Sequence, residues 1–165
     1  MSPNRVSRAQ LLLVMILLLV LQFYLRPRLW DARISPDFLL IALMLYAMRS
    51  SPGVAALAGF VVGLIADTLT PARFGAGALA HTLVGYLAAW GRSIFFADNM
   101  LVNAGFVAAG LWFRDLVVLL TSGSDHRQLL TELTLYSPLQ ALTTAGCALL
   151  VLITFRAWFS IRLDA

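Results

Sequence analysis

The chain has 165 residues, of which 61% are hydrophobic and only 12% charged, and its mean hydropathy is +0.86. A soluble domain is about 45–50% apolar and about 25% charged, so this composition excludes an ordinary water-soluble globule and points to an integral membrane protein. The formal net charge is +4, but the 12 basic residues are all arginines scattered between apolar stretches, which argues against nucleic-acid binding.

Apolar segments at 8–25, 36–48, 52–69, 74–94, 100–121 and 138–159 follow one another with little room for a folded extramembrane module. They read as one all-α membrane domain, a polytopic bundle of about six transmembrane helices. The first segment follows a basic N-terminus and lacks a small-x-small cleavage site, so it reads as an uncleaved span. The second is short for the roughly 20 residues that cross about 30 Å of hydrocarbon. It reads as a short span shielded by protein or beside thinned bilayer, or as a re-entrant or interfacial piece. Pro36 suits its first turn, and Arg49-Ser50-Ser51-Pro52-Gly53 is a stop followed by a start.

The third and fourth segments carry small residues and one ionisable group at four-residue spacing: Gly59, Gly63 and Asp67 on one, Gly77, His81 and Gly85 on the other. Such spacing places each set on one helix face, where small residues let backbones approach closely and an ionisable group points into protein rather than lipid. The two rows are expected to pack, against each other or against another helix, rather than to form a dimerisation face. Between the fifth and sixth segments, 125–136 carries Leu129, Leu130, Leu133 and Tyr136 in one apolar stripe. It reads as an amphipathic helix on the membrane surface or against a partner, or as a plain connector. Trp30, Trp90 and Trp158 lie near segment ends and read as interface anchors.

With six spans, Arg5, Arg8, Arg49, Arg92, Arg156 and Arg162 fall on the N-terminal side and Arg26, Arg28, Arg33, Arg73 and Arg127 on the other, which fixes no orientation. Parity is firmer about depth. Asp67, His81, Arg114 and Asp115 all enter the same half of the bilayer, where an unpaired charge costs about 2.5–3.5 kcal/mol at the centre on insertion scales. The economical arrangement is an ion pair between Arg114 and Asp67 or another acid, with His81 as a neutral hydrogen-bonding member. Snorkelling of Arg114 or Asp67 and a proton or substrate pathway are the other readings of these charges.

Catalytic signatures are absent: no Gly-x-Ser-x-Gly, His-Glu-x-x-His, P-loop or dinucleotide-binding motif occurs. His81, His126 and the single Cys147 cannot supply a usual zinc site, so neither an enzyme nor a metal or other cofactor is expected.

The combination of Pro36-Asp37-Phe38-Leu39-Leu40, of Gly59 to Asp67 as Gly-x-x-x-Gly-x-x-x-Asp, and of Pro71, Phe74, Gly75, Gly85 and Tyr86 resembles the MreD family of rod shape-determining proteins. The resemblance implies a bacterial inner-membrane protein with both termini in the cytoplasm that binds the bitopic protein MreC. It also implies membership of the elongation machinery with the actin-like MreB, a RodA-type glycosyltransferase and a class B penicillin-binding protein, and a role in cell shape and lateral peptidoglycan synthesis. MreD-like chains are further similar to the substrate-binding components of energy-coupling vitamin transporters. A partner helix bound through small-residue packing is the expected mechanism. A vitamin-type binding subunit of a transporter and a lipid-handling membrane protein are the alternatives.

Overall fold

Each apolar run folds as a helix in a computed structural model that describes residues 8–29, 31–70, 73–95, 100–123 and 125–155. The order is α1 (Arg8–Val20), carried on by a wide π turn (Leu21–Leu25) and a tight turn (Arg26–Arg28), then α2 (Phe38–Ala47), α3 (Pro52–Thr68), α4 (Ala76–Phe95), α5 (Met100–Thr121) and α6 (His126–Thr154). Ala9–Arg28, Leu101–Thr121 and His126–Thr154 are long and apolar enough to cross a membrane. Helix and composition together make this an integral, all-α membrane fold. Pro71, Trp30, Trp158 and the last residues of the final segment, 156–159, lie outside the described residues.

The short second helix sits at the axis. Its sequence is apolar on every side, which suits a helix surrounded by protein, and among residues 38–47 only Tyr46 escapes full burial. Ten residues span about 15 Å, half a bilayer core, so its first N–H groups open inside the bundle with no water to meet them. Side chains take that role. Asp37 caps the helix by accepting from Leu40 N at 3.0 Å, Gln22 Oε1 accepts from Phe38 N at 3.0 Å, and Thr144 Oγ1 accepts from Asp37 N at 3.1 Å. The loop before it is bolted to α6 in turn, where Gln140 Nε2 donates to Ser35 O at 3.0 Å and Thr143 Oγ1 to Ile34 O at 2.6 Å.

The glycine rows face each other. The most extensive helix contact is between α3 and α4, and a Cβ at Gly59 would run into the backbone of His81, one at Gly63 into Gly77 and Ala78, and one at Gly85 into the carbonyl of Ala55. Gly77 serves a different purpose: a Cβ there would occupy the place of the Asp67 carboxylate. The turn joining the two helices passes through Gly75 at φ +95°, a conformation that glycine adopts without strain.

Residues 125–136 do not stand apart from the last helix. Asp125 caps the segment by accepting from His126 N at 2.9 Å, and the helix then continues to Thr154 through a π turn at Glu132–Tyr136. Pro138 reads in the sequence as a helix start, but the wider π turn just before it makes room for a ring that would otherwise collide with the preceding turn. Pro27 follows the π turn of Leu21–Leu25 in the same way.

Gly63→Ala is expected to lower stability by about 1–3 kcal/mol, as overpacking of a closed contact does, because backbone rather than a movable side chain stands where the methyl would go. Gly105→Ala, with open space at its Cβ, is the control and should melt at or slightly above the parent temperature in detergent.

Candidate functional site

At the end of the bundle where α3 stops and α4 begins, a cavity of about 350 Å³ opens between α3, α4, α5 and α6, within the roughly 300–1,000 Å³ range of small-ligand pockets. Asp67, His81, Arg114 and Asp115 all line it, so the structure brings together the four groups that parity places in one half of the bilayer. Arg33, Thr70, Arg73, Glu132, Tyr136, Ser137 and Gln140 complete its polar wall.

Arg114 pairs with Asp37, not with Asp67. Its Nη2 lies 3.1 Å from Asp37 Oδ2 and its Nε 3.2 Å from Asp115 Oδ1. All three side chains are at least 85% withdrawn from solvent, with exposures of 14%, 4% and 15%. These are charge contacts rather than well-aligned hydrogen bonds, since neither Nε nor Nη2 meets an acceptor at a favourable angle. Asp115 Oδ2 also accepts from Ser137 Oγ at 2.6 Å, which carries the network onto α6.

Asp67 finds its partners in backbone. Oδ2 accepts from Gly75 N at 2.8 Å and Ala78 N at 3.0 Å, and Oδ1 from Gly77 N at 3.0 Å. Of the acids open to Arg114 in the sequence, Asp67 or another, the partner is another, and the Asp67 carboxylate sits on the N-terminus of α4, where orphan N–H groups and the helix dipole both favour an anion. A charge count along the sequence ignores backbone donors, and these lie within 11 residues of Asp67.

His81 is 1% exposed and its Nδ1 lies 2.8 Å from Gly77 O. A carbonyl only accepts, so Nδ1 carries the hydrogen, and in the neutral ring Nε2 is then an acceptor. Nε2 is buried and has no hydrogen-bond partner.

Several contributors go unnoticed in a reading of charges and spacing. Asp37 is placed there as an opener of the second segment, but a Ser-Pro-Asp sequence before an apolar run is also an N-cap signal, and the same parity argument sets it beside Arg114. Glu132, Tyr136, Ser137 and Gln140 reach the wall through the π turn and the helix that follows it. Arg33 stacks over the Tyr136 ring at 4.9 Å from its centroid, and Trp112 Nε1 donates to Leu133 O at 3.2 Å. Pro36 is buried just ahead of α2, whereas Tyr86 is 47% exposed on the outer face of α4 and takes no part in the cavity.

Asp37→Asn and Arg114→Gln are each expected to destabilise by about 3–5 kcal/mol, the usual loss when one member of a buried pair is removed. A double-mutant cycle in detergent should give a coupling of about 0.5–3 kcal/mol for that pair and close to none for Asp67→Asn with Arg114→Gln. A coupling to Asp67 as large as that to Asp37 would overturn the assignment of partners.

No curated protein and no solved structure matches the chain. The family model described as rod shape-determining protein MreD matches residues 4–159 of the 165. That match covers nearly the whole chain, including every element and every cavity residue described above, and the chain therefore belongs to the MreD family, as an integral membrane component of the rod-shape machinery.

Proposed function

We propose that this chain is a non-enzymatic subunit of the bacterial cell-elongation machinery in the inner membrane, both termini cytoplasmic, and that it acts by binding the transmembrane helix of an MreC-like bitopic protein. Through that partner it takes its place beside MreB, a RodA-type glycosyltransferase and a class B penicillin-binding protein, and so bears on cell shape and lateral peptidoglycan synthesis. Membership of the family supports the setting; the observation that supports the mode of binding is a groove between α1 and α3 over α2.

This groove, about 310 Å³, has walls from α1 and α3 and a floor from α2. Leu12, Met15, Ile16 and Leu19 recur on α1 at helical spacing, and Ala58, Val62 and Ile65 do so on α3. Tyr46 is the one lining side chain with a polar atom. A long apolar slot running parallel to helices fits one apolar helix, which is the part of a bitopic protein that lies in the bilayer.

The expected small-residue contact takes a different form. Gly59, Gly63 and Gly85 are already covered by the α3–α4 contact, so they are closed to a partner, and Ala58 on α3 and Ala42 on α2 are the small residues that line the groove. Energy for any partner-dependent shift is limited to the partner's difference in affinity for the two arrangements.

Ile16→Trp, at a groove residue that is 61% exposed, should cut recovery of the MreC-like protein in a detergent pull-down severalfold without changing the level of the tagged chain. Leu13→Trp, on the same helix but outside the groove and 53% exposed, should leave recovery intact. Equal recovery with both variants would reject the groove as the docking site.

A further inference from the structure

The polar cavity has a feature that packing does not explain. His81 lines a space of about 350 Å³, room for several waters at roughly 30 Å³ of liquid each, and its Nε2 is a buried acceptor without a donor. An unmet buried polar atom costs about 1–3 kcal/mol, so Nε2 calls for a donor. The lining also carries charges left over after the internal pairs are made. Asp67 is taken up by three backbone N–H groups, and Arg114 by Asp37 and Asp115. Glu132 makes no ion pair among the described residues, and neither do Arg33 and Arg73.

We propose that this cavity binds a small zwitterion, an N–H-bearing ammonium group joined to a carboxylate or phosphate. The ammonium group donates to His81 Nε2 and is met by the carboxylate of Glu132. The anionic group is met by Arg33 and Arg73, of which Arg33 is exposed, so that it lies toward the mouth. A cavity with unspent charge of both signs selects against ligands of a single sign, since each would leave one set unmatched. Two sources offer this chemistry, a dissolved amine–anion such as phosphoethanolamine and the headgroup of an aminophospholipid entering from the bilayer.

The test uses the full-length protein. Purified in detergent, it is titrated with O-phosphoethanolamine, glycine, ethanolamine and inorganic phosphate, with binding followed by calorimetry. Reconstituted in vesicles of phosphatidylethanolamine, phosphatidylcholine or phosphatidylglycerol, it is released and its retained lipid counted by native mass spectrometry. The zwitterions, or phosphatidylethanolamine over the other two lipids, are expected to bind. Glu132→Gln and His81→Ala are each expected to weaken that binding roughly tenfold or more, the scale of a lost hydrogen bond to a charged group. Glu132 is partly exposed, so its variant keeps the fold in question apart from the site, and its melting temperature should match the parent. Binding only of a dissolved zwitterion assigns a solute site, and binding only of phosphatidylethanolamine assigns a lipid site. The proposal is overturned if no zwitterion binds in either form, if phosphate or ethanolamine alone binds as well, or if Glu132→Gln binds like the parent. None of these outcomes bears on the partner groove, which the pull-down addresses separately.

Discussion

A guanidinium carried on a helix within a bilayer is tolerated when acids meet it, and in this chain Arg114 is met by Asp37 at 3.1 Å and by Asp115 at 3.2 Å. Asp37 is also the N-cap of α2. One carboxylate therefore starts the axial helix and anchors α5 to it, and the two tasks require the same position. The loop before α2 must then be held still, which is what its bonds to Gln140, Thr143 and Thr144 on α6 accomplish. A short helix that begins inside the membrane thus depends on α1, α5 and α6 for the donors and acceptors that water supplies elsewhere.

The glycines of the two rows are consumed in making one hairpin. Close approach of α3 and α4 at Gly59, Gly63 and Gly85 leaves no space for a methyl group, and the same approach lets Asp67 reach the first amides of α4. The Asp67 carboxylate and the glycine contacts are thus parts of one device, with Gly77 omitting the Cβ that would displace the carboxylate. These glycines are closed to further contact, and concave apolar surface remains in the slot between α1 and α3 and in a smaller one between α4 and α5.

How much of this was legible follows from the range over which each signal acts. Hydropathy marks the six helices because the bilayer imposes length and apolarity on them one by one. Parity brings Asp67, His81, Arg114 and Asp115 to one end because an antiparallel bundle conserves depth whatever its packing. The partner of Arg114 was out of reach, since depth alone ranks Asp37 and Asp67 equally, and only the fold shows that backbone N–H groups satisfy one of them. In the sequence, residues 125–136 look separate from the last helix because Pro138 has the character of a boundary. The π turn that carries the helix up to that proline has no periodic signature, and with it Glu132 and Tyr136 on the cavity wall stayed hidden.

The polar cavity and the apolar groove are linked through α2 and its cap. Leu39, Ala42, Leu43 and Tyr46 of α2 floor the apolar groove, while Asp37, at the head of the same helix, holds the arginine that lines the polar cavity. Helix α2 is nearly all buried and ten residues long, so it moves as a rigid piece or not at all. A ligand drawing Arg114 or Asp115 toward itself changes the charge that Asp37 faces and hence the seating of α2. A helix seated in the proposed groove would press on α2 at Leu39, Ala42, Leu43 and Tyr46. If each site's occupant prefers a different seating, the coupling runs equally in both directions, because a change in partner affinity caused by the ligand must appear as the same change in ligand affinity caused by the partner.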